Sequence, residues 1–477
     1  MNIKVSTLLT VCLLVLSGCA RQGYQDPELV ASSECSNLWS EFQLQVIDAG
    51  VFEAQDWPLP KYPFLRVDRN ASYLSRQGLS SQQQYRWLLQ AYERGRFARE
   101  IENAKLEQPM ELESLETCLR HVLPTLIDNR DFWNYVRQHP RPDAYSTARR
   151  RVGLYPLFQP IVSWRVNVLN EQVSSTFQEY EKDDSATWHR YVFPQRPEWD
   201  DIIKLFDESV HQDELGLPKF SIPEENQLLA YYSPVIEQEY GHPHDRIGRP
   251  FRLDGHWSVN EQPELFTMVT TTRWQGEWVP QLVYVWWYAS RPKKHPFDIL
   301  GGELDGLMWR VTLNWKGDVI FYDSVHPCGC YNKWFPAQEG IVFEGSSNTG
   351  EALSVLPVLS PGPEYRPVVR LNSEQHYVVG LEFEKAGQIK PGQSYQLSSY
   401  NELRQKPLGE DYLFGPDGIV PGTGRLEQLF IWNMGVVAAG SMRQWGHHAT
   451  AFASRRHFDD PELFEHYFDW QPSVPEE

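Results

Sequence analysis

Apolar positions follow two rhythms along the chain, and the change from one to the other divides it. The first third is helical in period. Trp87, Leu88, Ala91 and Tyr92 fall on one helical face, and Phe97 and Ile101 extend the stripe past Gly95. Ser81-Gln82-Gln83-Gln84, just before it, resembles a capping box, in which a serine oxygen and a glutamine side chain satisfy orphan amides at a helix start. A second helix is predicted over residues 112–122, stopped by Pro124, and a third over residues 132–136.

Past residue 261 the rhythm becomes that of strands. Residues 266–272 and 282–288 are rich in β-branched and aromatic side chains and flank Gln275-Gly276-Glu277, which predicts a hairpin. Residues 309–313 and 319–322 around Lys316-Gly317-Asp318 predict a second hairpin, and residues 377–383 a further strand of the same sheet. Leu426, Leu429, Phe430 and Met434 predict a late helix leading to Gln444-Trp445-Gly446-His447-His448. The pattern is that of an α+β protein: a helical domain over 35–140, a breaker-rich mixed region over 141–260, and a larger domain with an antiparallel sheet over 261–477.

The first residues read differently. One cation, Lys4, precedes a largely apolar run over residues 5–16, well short of the ~20 residues that cross a bilayer. The run ends in Leu16-Ser17-Gly18-Cys19, which resembles the lipobox of bacterial lipoproteins. That resemblance implies a signal peptide over 1–18, a diacylglycerol on the Cys19 sulfur, an acylated amine and a polar tether over 19–34. Each buried methylene adds ~0.8 kcal/mol, so several acyl chains make a durable anchor. Ala20 stands where Asp commonly marks retention at the inner membrane, so the resemblance implies the outer membrane, facing the periplasm.

A length of 477 residues suits two or three domains, and a net charge of -19 disfavours nucleic acid and anionic lipid, whose phosphates reward clustered cations. The expected partners are the membrane, through the lipid, and an envelope protein or the cell wall. No Walker loop, dinucleotide fingerprint, His-Glu-x-x-His or Gly-x-Ser-x-Gly occurs.

Cys12 leaves with the signal and Cys19 carries lipid, so Cys35, Cys118, Cys328 and Cys330 remain, with three connectivities open in an oxidising compartment. A Cys35–Cys118 bond would staple two helical segments and leave Cys328 and Cys330 to each other or to a metal. The densest chemistry follows the second predicted hairpin, in Asp323-Ser324-Val325-His326-Pro327-Cys328-Gly329-Cys330-Tyr331-Asn332. His326, Cys328 and Cys330, completed by His447 and His448, offer the thiolate and imidazole donors that suit zinc or copper. The same cysteines suit a short, reducible disulfide, or a structural pair. Gly329-Cys330-Tyr331-Asn332, with His326 and Ser324 before it, also resembles the active-site stretch of L,D-transpeptidases. That resemblance implies Cys330 as nucleophile and His326 as base, although Pro327 and Cys328 interrupt the family's order. His242-Pro243-His244 has ligand-like spacing, and polar loop surface explains it equally.

Overall fold

The computed structural model describes residues 33–344 and 353–471, so Cys19, the expected signal peptide and nearly all of the tether lie outside the described residues. The chain begins as an N-terminal helical module and continues into a larger, sheet-rich α+β body.

Five helices build the module: Ser33–Ala49, Arg69–Leu74, Ser81–Ala104, Glu113–Leu126 and Arg130–Gln138. Trp39, Phe42, Trp87, Leu88, Leu119 and Phe132 are buried together at its centre. Cys35 and Cys118 pair across it, with Cα atoms 5.8 Å apart. The capping box exists one residue earlier than the sequence predicts: Ser80, in extended conformation, caps the helix and Gln83 reaches back to its amide. Ser81 is already helical. The helix expected to stop at Pro124 runs on to Leu126, two residues past the proline.

Both hairpins form. Glu264–Trp274 pairs antiparallel with Glu277–Arg291, and Gln275 and Gly276, at φ 53° and 81°, supply the two left-handed positions of a tight hairpin turn. Gly302–Leu313 pairs with Glu277–Arg291 on one side and Val319–Val325 on the other. These strands are the centre of an eight-stranded sheet. Tyr284, Trp286 and Tyr288 face one core while Val283, Val285 and Trp287 face another. A strand covered on both faces reads as one continuous apolar run, and this one does.

The strand predicted over 377–383 belongs elsewhere. Val378–Lys385 pairs with Tyr365–Leu371 at the edge of a separate five-stranded sheet, which also holds Val235–Glu239 and Trp188–Val192. This second sheet covers the Tyr284 face of the first, with Tyr191, Ile236 and Val369 in the shared core. Within 141–260 lies a 24-residue helix, Tyr155–Gln178, that breaker counting hides. Pro156 sits in its first turn, where a missing amide is harmless, and exposed Leu157, Ile161 and Trp164 blur its period. The late helix shrinks to Gln428–Ile431 and a single turn over Trp432–Met434, ended by Gly435 at φ 84°.

Module and body are joined by a buried charge cluster. Glu53 accepts from Arg404 Nε (3.1 Å) and Gln444 Nε2 (2.5 Å), while Arg66 donates to Glu102 (2.6 Å) and to the Glu53 carbonyl (2.5 Å). Two arginines thus face two glutamates. Burial pushes the Glu53 carboxyl up, but Arg404, Arg66 and Gln444 outweigh it and bring it down to about 2.

Candidate functional site

Where the two sheets meet, a buried acid stands in the central strand Gly302–Leu313. Asp305 lies opposite Tyr288 in the register of the central strand and is almost fully buried. Its oxygens accept from His326 Nδ1 (3.1 Å) and His376 Nδ1 (2.9 Å), and the Arg425 guanidinium lies 3.8 Å away. Burial pushes the Asp305 carboxyl up, yet His326, His376 and Arg425 hold it well below the usual range. It is an anion held by the Arg425 cation and two imidazoles, of which His376 favours the charged form.

His376 continues the chain. Its ring stacks on Tyr288 at 3.7 Å, and its Nε2 lies 3.3 Å from Asp245. Burial alone lowers the imidazole, but Asp245 and Asp305 more than reverse this and favour the cation. Asp245 in turn accepts from the amides of Gly241 (2.9 Å), His242 (2.9 Å) and Glu374 (2.8 Å) and from Ser373 Oγ (2.8 Å). At the other end, burial lowers His326 in spite of Asp305, and its Nε2 is buried without a partner. A relay His326–Asp305–His376–Asp245 therefore runs from the cysteine turn to the loops that flank the second sheet.

The backbone around this relay is strained. Leu304, Tyr331, Glu374 and His376 have φ of 49°, 59°, 63° and 55°, four of the nine non-glycine residues in left-handed conformation among the described residues. Such conformations persist only where surrounding contacts over-determine them, and they gather at functional sites. Arg291 adds two bonds, donating to the hydroxyls of Tyr331 (3.2 Å) and Tyr377 (3.1 Å), whose rings lie against His326.

The cysteines sit on a tight turn. The His326 amide donates to the Cys330 carbonyl (3.0 Å) and the Gly329 amide to the His326 carbonyl (2.7 Å). Gly329 is required here: its φ is 89°, and a Cβ would lie 2.3 Å from the Ala449 carbonyl oxygen. Cys328 and Cys330 are free, buried thiols. The two thiols interact with each other, and burial drives Cys330 well above its usual value. Arg425 favours the Cys328 thiolate. Beside the turn is a cavity of about 140 Å³ lined by Cys330, Tyr331, Tyr377, Glu427, Thr450 and Arg456. Burial lifts the Glu427 carboxyl and brings the Lys333 amine, which donates to the Val378 carbonyl, down to about 7.

Of the other expected members, one meets the module and one the backbone of the thiol turn. His447 Nε2 meets the Ala54 carbonyl (2.6 Å) on the module side, and burial lowers the ring to about 4. His448 is lowered by burial to about 3 and bonds to the Pro327 carbonyl. Among the described residues, no hydrogen bond links His326 to either thiol, and no group of three or more His, Cys, Asp or Glu side chains is placed to hold one metal ion. The zinc or copper reading therefore finds no assembled donor set, and the transpeptidase-like pairing of Cys330 with His326 finds no bond.

No family model, curated protein or solved structure matches the chain. The site rests on its own geometry.

Sequence reading reached His326, Cys328 and Cys330 and missed their support. Asp305 was detectable as the one acid in the run between Leu304 and Trp309. His376, Asp245 and Arg425 carried no local signal, because only the meeting of the sheets brings them to it.

Proposed function

We propose that this chain is a lipid-anchored protein of the bacterial envelope, held through Cys19 at the outer membrane and facing the periplasm, whose Cys328-Gly329-Cys330 turn exchanges disulfides with small thiols. The anchoring is supported by the lipobox-like Leu16-Ser17-Gly18-Cys19. The chemistry is carried by one observation, two free and buried thiols held two residues apart on a tight turn that requires Gly329.

In the disulfide form, a small thiolate entering the cavity attacks Cys330 Sγ. The Cys328–Cys330 bond breaks and its electron pair departs on Cys328, whose thiolate the Arg425 cation favours. A second small thiolate attacks the bound group's sulfur, releasing a small-molecule disulfide and the Cys330 thiolate. The two protons brought by the small thiols end on Cys328 and Cys330. Two thiols are oxidised and one protein disulfide is reduced. A cavity of about 140 Å³ admits a small thiol and excludes a folded partner.

The test is equilibration of the purified full-length chain with cysteamine and cystamine, followed by alkylation and peptide mass analysis. Cys328 and Cys330 are expected to change together and reversibly, with Cys35–Cys118 unaffected, and Cys328→Ser is expected to accumulate cysteamine on Cys330. Thiols that stay alkylatable at every ratio, with no mixed disulfide in the variant, would overturn the chemistry. The intact mass of membrane-extracted protein tests the anchor separately: it should begin at an acylated Cys19. Retention of residues 1–18 without fatty acid contradicts it.

A further inference from the structure

A second recess, unrelated to the thiols, opens between module and body, with a volume of about 530 Å³. Helix Ser81–Ala104 turns one polar face into it through Arg86, Gln90 and Arg94, spaced by whole turns. The opposite wall is Met268 to Thr271, the part of strand Glu264–Trp274 beyond its pairing with Gln396–Ser399. The volume is in the range of small-molecule sites, but the lining is far more polar than usual for one.

Most of the charges here already have partners. Arg86 and Gln90 bond Asp213 (3.0 and 2.7 Å), Arg94 bonds Asp68 (2.8 Å), and Asp459 bonds Arg69 (3.1 Å). A few groups do not. Arg94 Nη1, a donor, and Gln55 Oε1 and Asn70 Oδ1, both acceptors, are buried and have no protein partner. Asp56, only 7 % exposed, makes no hydrogen bond or ion pair with the described residues. Buried polar groups are normally satisfied, so a cluster of open ones on a recess marks a place where something else completes them.

Their mixture restricts what that is. An anion would satisfy Arg94 but meet Asp56, and a cation would satisfy Asp56 but meet Arg94 and Arg404. A hydroxyl donates and accepts at one atom, so a neutral polyol completes both kinds of open group without repulsion. Phe97, Phe220 and Trp445 add apolar surface for the carbon faces of sugar rings. We infer that this cleft binds a short, uncharged glycan. Burial exceeds the pull of Arg94 and Arg404 and raises the Asp56 carboxyl, in keeping with a neutral occupant.

The test uses the full-length chain in a detergent without sugar, on an array of neutral gluco-, malto-, manno- and chito-oligosaccharides beside sulfated and uronate ones. Saturable binding to a neutral series is expected, weakened at least tenfold by Asp56→Ala and by Gln55→Ala and unchanged by Lys204→Ala, an exposed cation outside the recess. Neither Asp56 nor the Gln55 oxygen has a partner in the free fold, so thermal unfolding should not fall in these variants. Binding of no neutral oligosaccharide, preference for the charged ones, or retention of binding in both variants overturns the inference.

Discussion

Glu53 and Asp56 are three residues apart, both buried, and their carboxyls are driven in opposite directions. Glu53 belongs to a set closed in charge, with Arg66, Glu102, Arg404 and Gln444, in which each carboxylate faces an arginine although Arg66 Nε and Glu102 Oε2 make no hydrogen bond, and it is held at about 2. Asp56 faces a recess without a partner, and burial raises it. Burial is therefore common to both, and pairing separates them. A closed set fixes the seam between module and body; an open group is left where another molecule can complete it. The relay at the thiol turn combines both kinds, with Asp305 fully engaged and His326 Nε2 open.

The largest expected effect comes from opening the closed set. Arg404→Ala removes the arginine partner that bonds the Glu53 carboxylate, and losing one member of a buried ion pair typically destabilises by ~3–5 kcal/mol. Chemical denaturation at pH 7 measures it. The Glu53 contribution has a defined sign with pH: a depressed carboxyl stabilises fully above its ordinary value of 4.5 and loses that contribution as pH falls towards about 2. Arg404→Ala should flatten that acid limb, and an unchanged limb would mean that Arg404 does not hold Glu53.

Lys333 offers an intermediate effect of the opposite sign. Its amine is brought down to about 7 by burial alone, so the unfolded chain binds more protons between about 7 and 10.5 and stability rises with pH across that window. Lys333→Met should stabilise the protein at pH 6 by on the order of 1–3 kcal/mol and abolish the rise. A variant less stable than the parent at pH 6 would place Lys333 among the closed groups.

The smallest effect is expected at Glu225, which lines the same recess as Asp56 and is raised to about 7 by burial. The folded state then binds the extra proton between 4.5 and about 7, and stability falls as pH rises through that window. Glu225→Gln should remove this fall, a change below ~1 kcal/mol once solvent screening is allowed for. Melting temperatures at pH 5 and pH 8 report it, and equal slopes in parent and variant would contradict the shift.

Local chemistry made part of this legible in the sequence. Gln275-Gly276 and the aromatic runs beside it announced a hairpin, and Trp87, Leu88, Ala91 and Tyr92 a helix, because turn chemistry and period act over a few residues. Strand Val378–Lys385 was legible as a strand but not as a member of a second sheet, since both sheets contribute apolar positions to one core. The helix Tyr155–Gln178 was hidden by its prolines and its exposed Leu157 and Trp164. At the thiol turn the sequence showed the reactive groups and nothing of what tunes them. Asp305, His376 and Arg425 are 21 to 120 residues apart from His326 or from one another and meet only in the tertiary fold. Asp56 was unmarked, because an acid in a loop looks the same whether or not the fold leaves it a partner.

The most direct measurement compares Glu53→Gln with Asp56→Asn, two nearly isosteric changes, by denaturation of the full-length chain at pH 7. If pairing sets the sign, Glu53→Gln loses stability while Asp56→Asn keeps or gains it. A loss of similar size in both variants would show that Asp56 is as structural as Glu53 and would remove the distinction between closed and open buried charge.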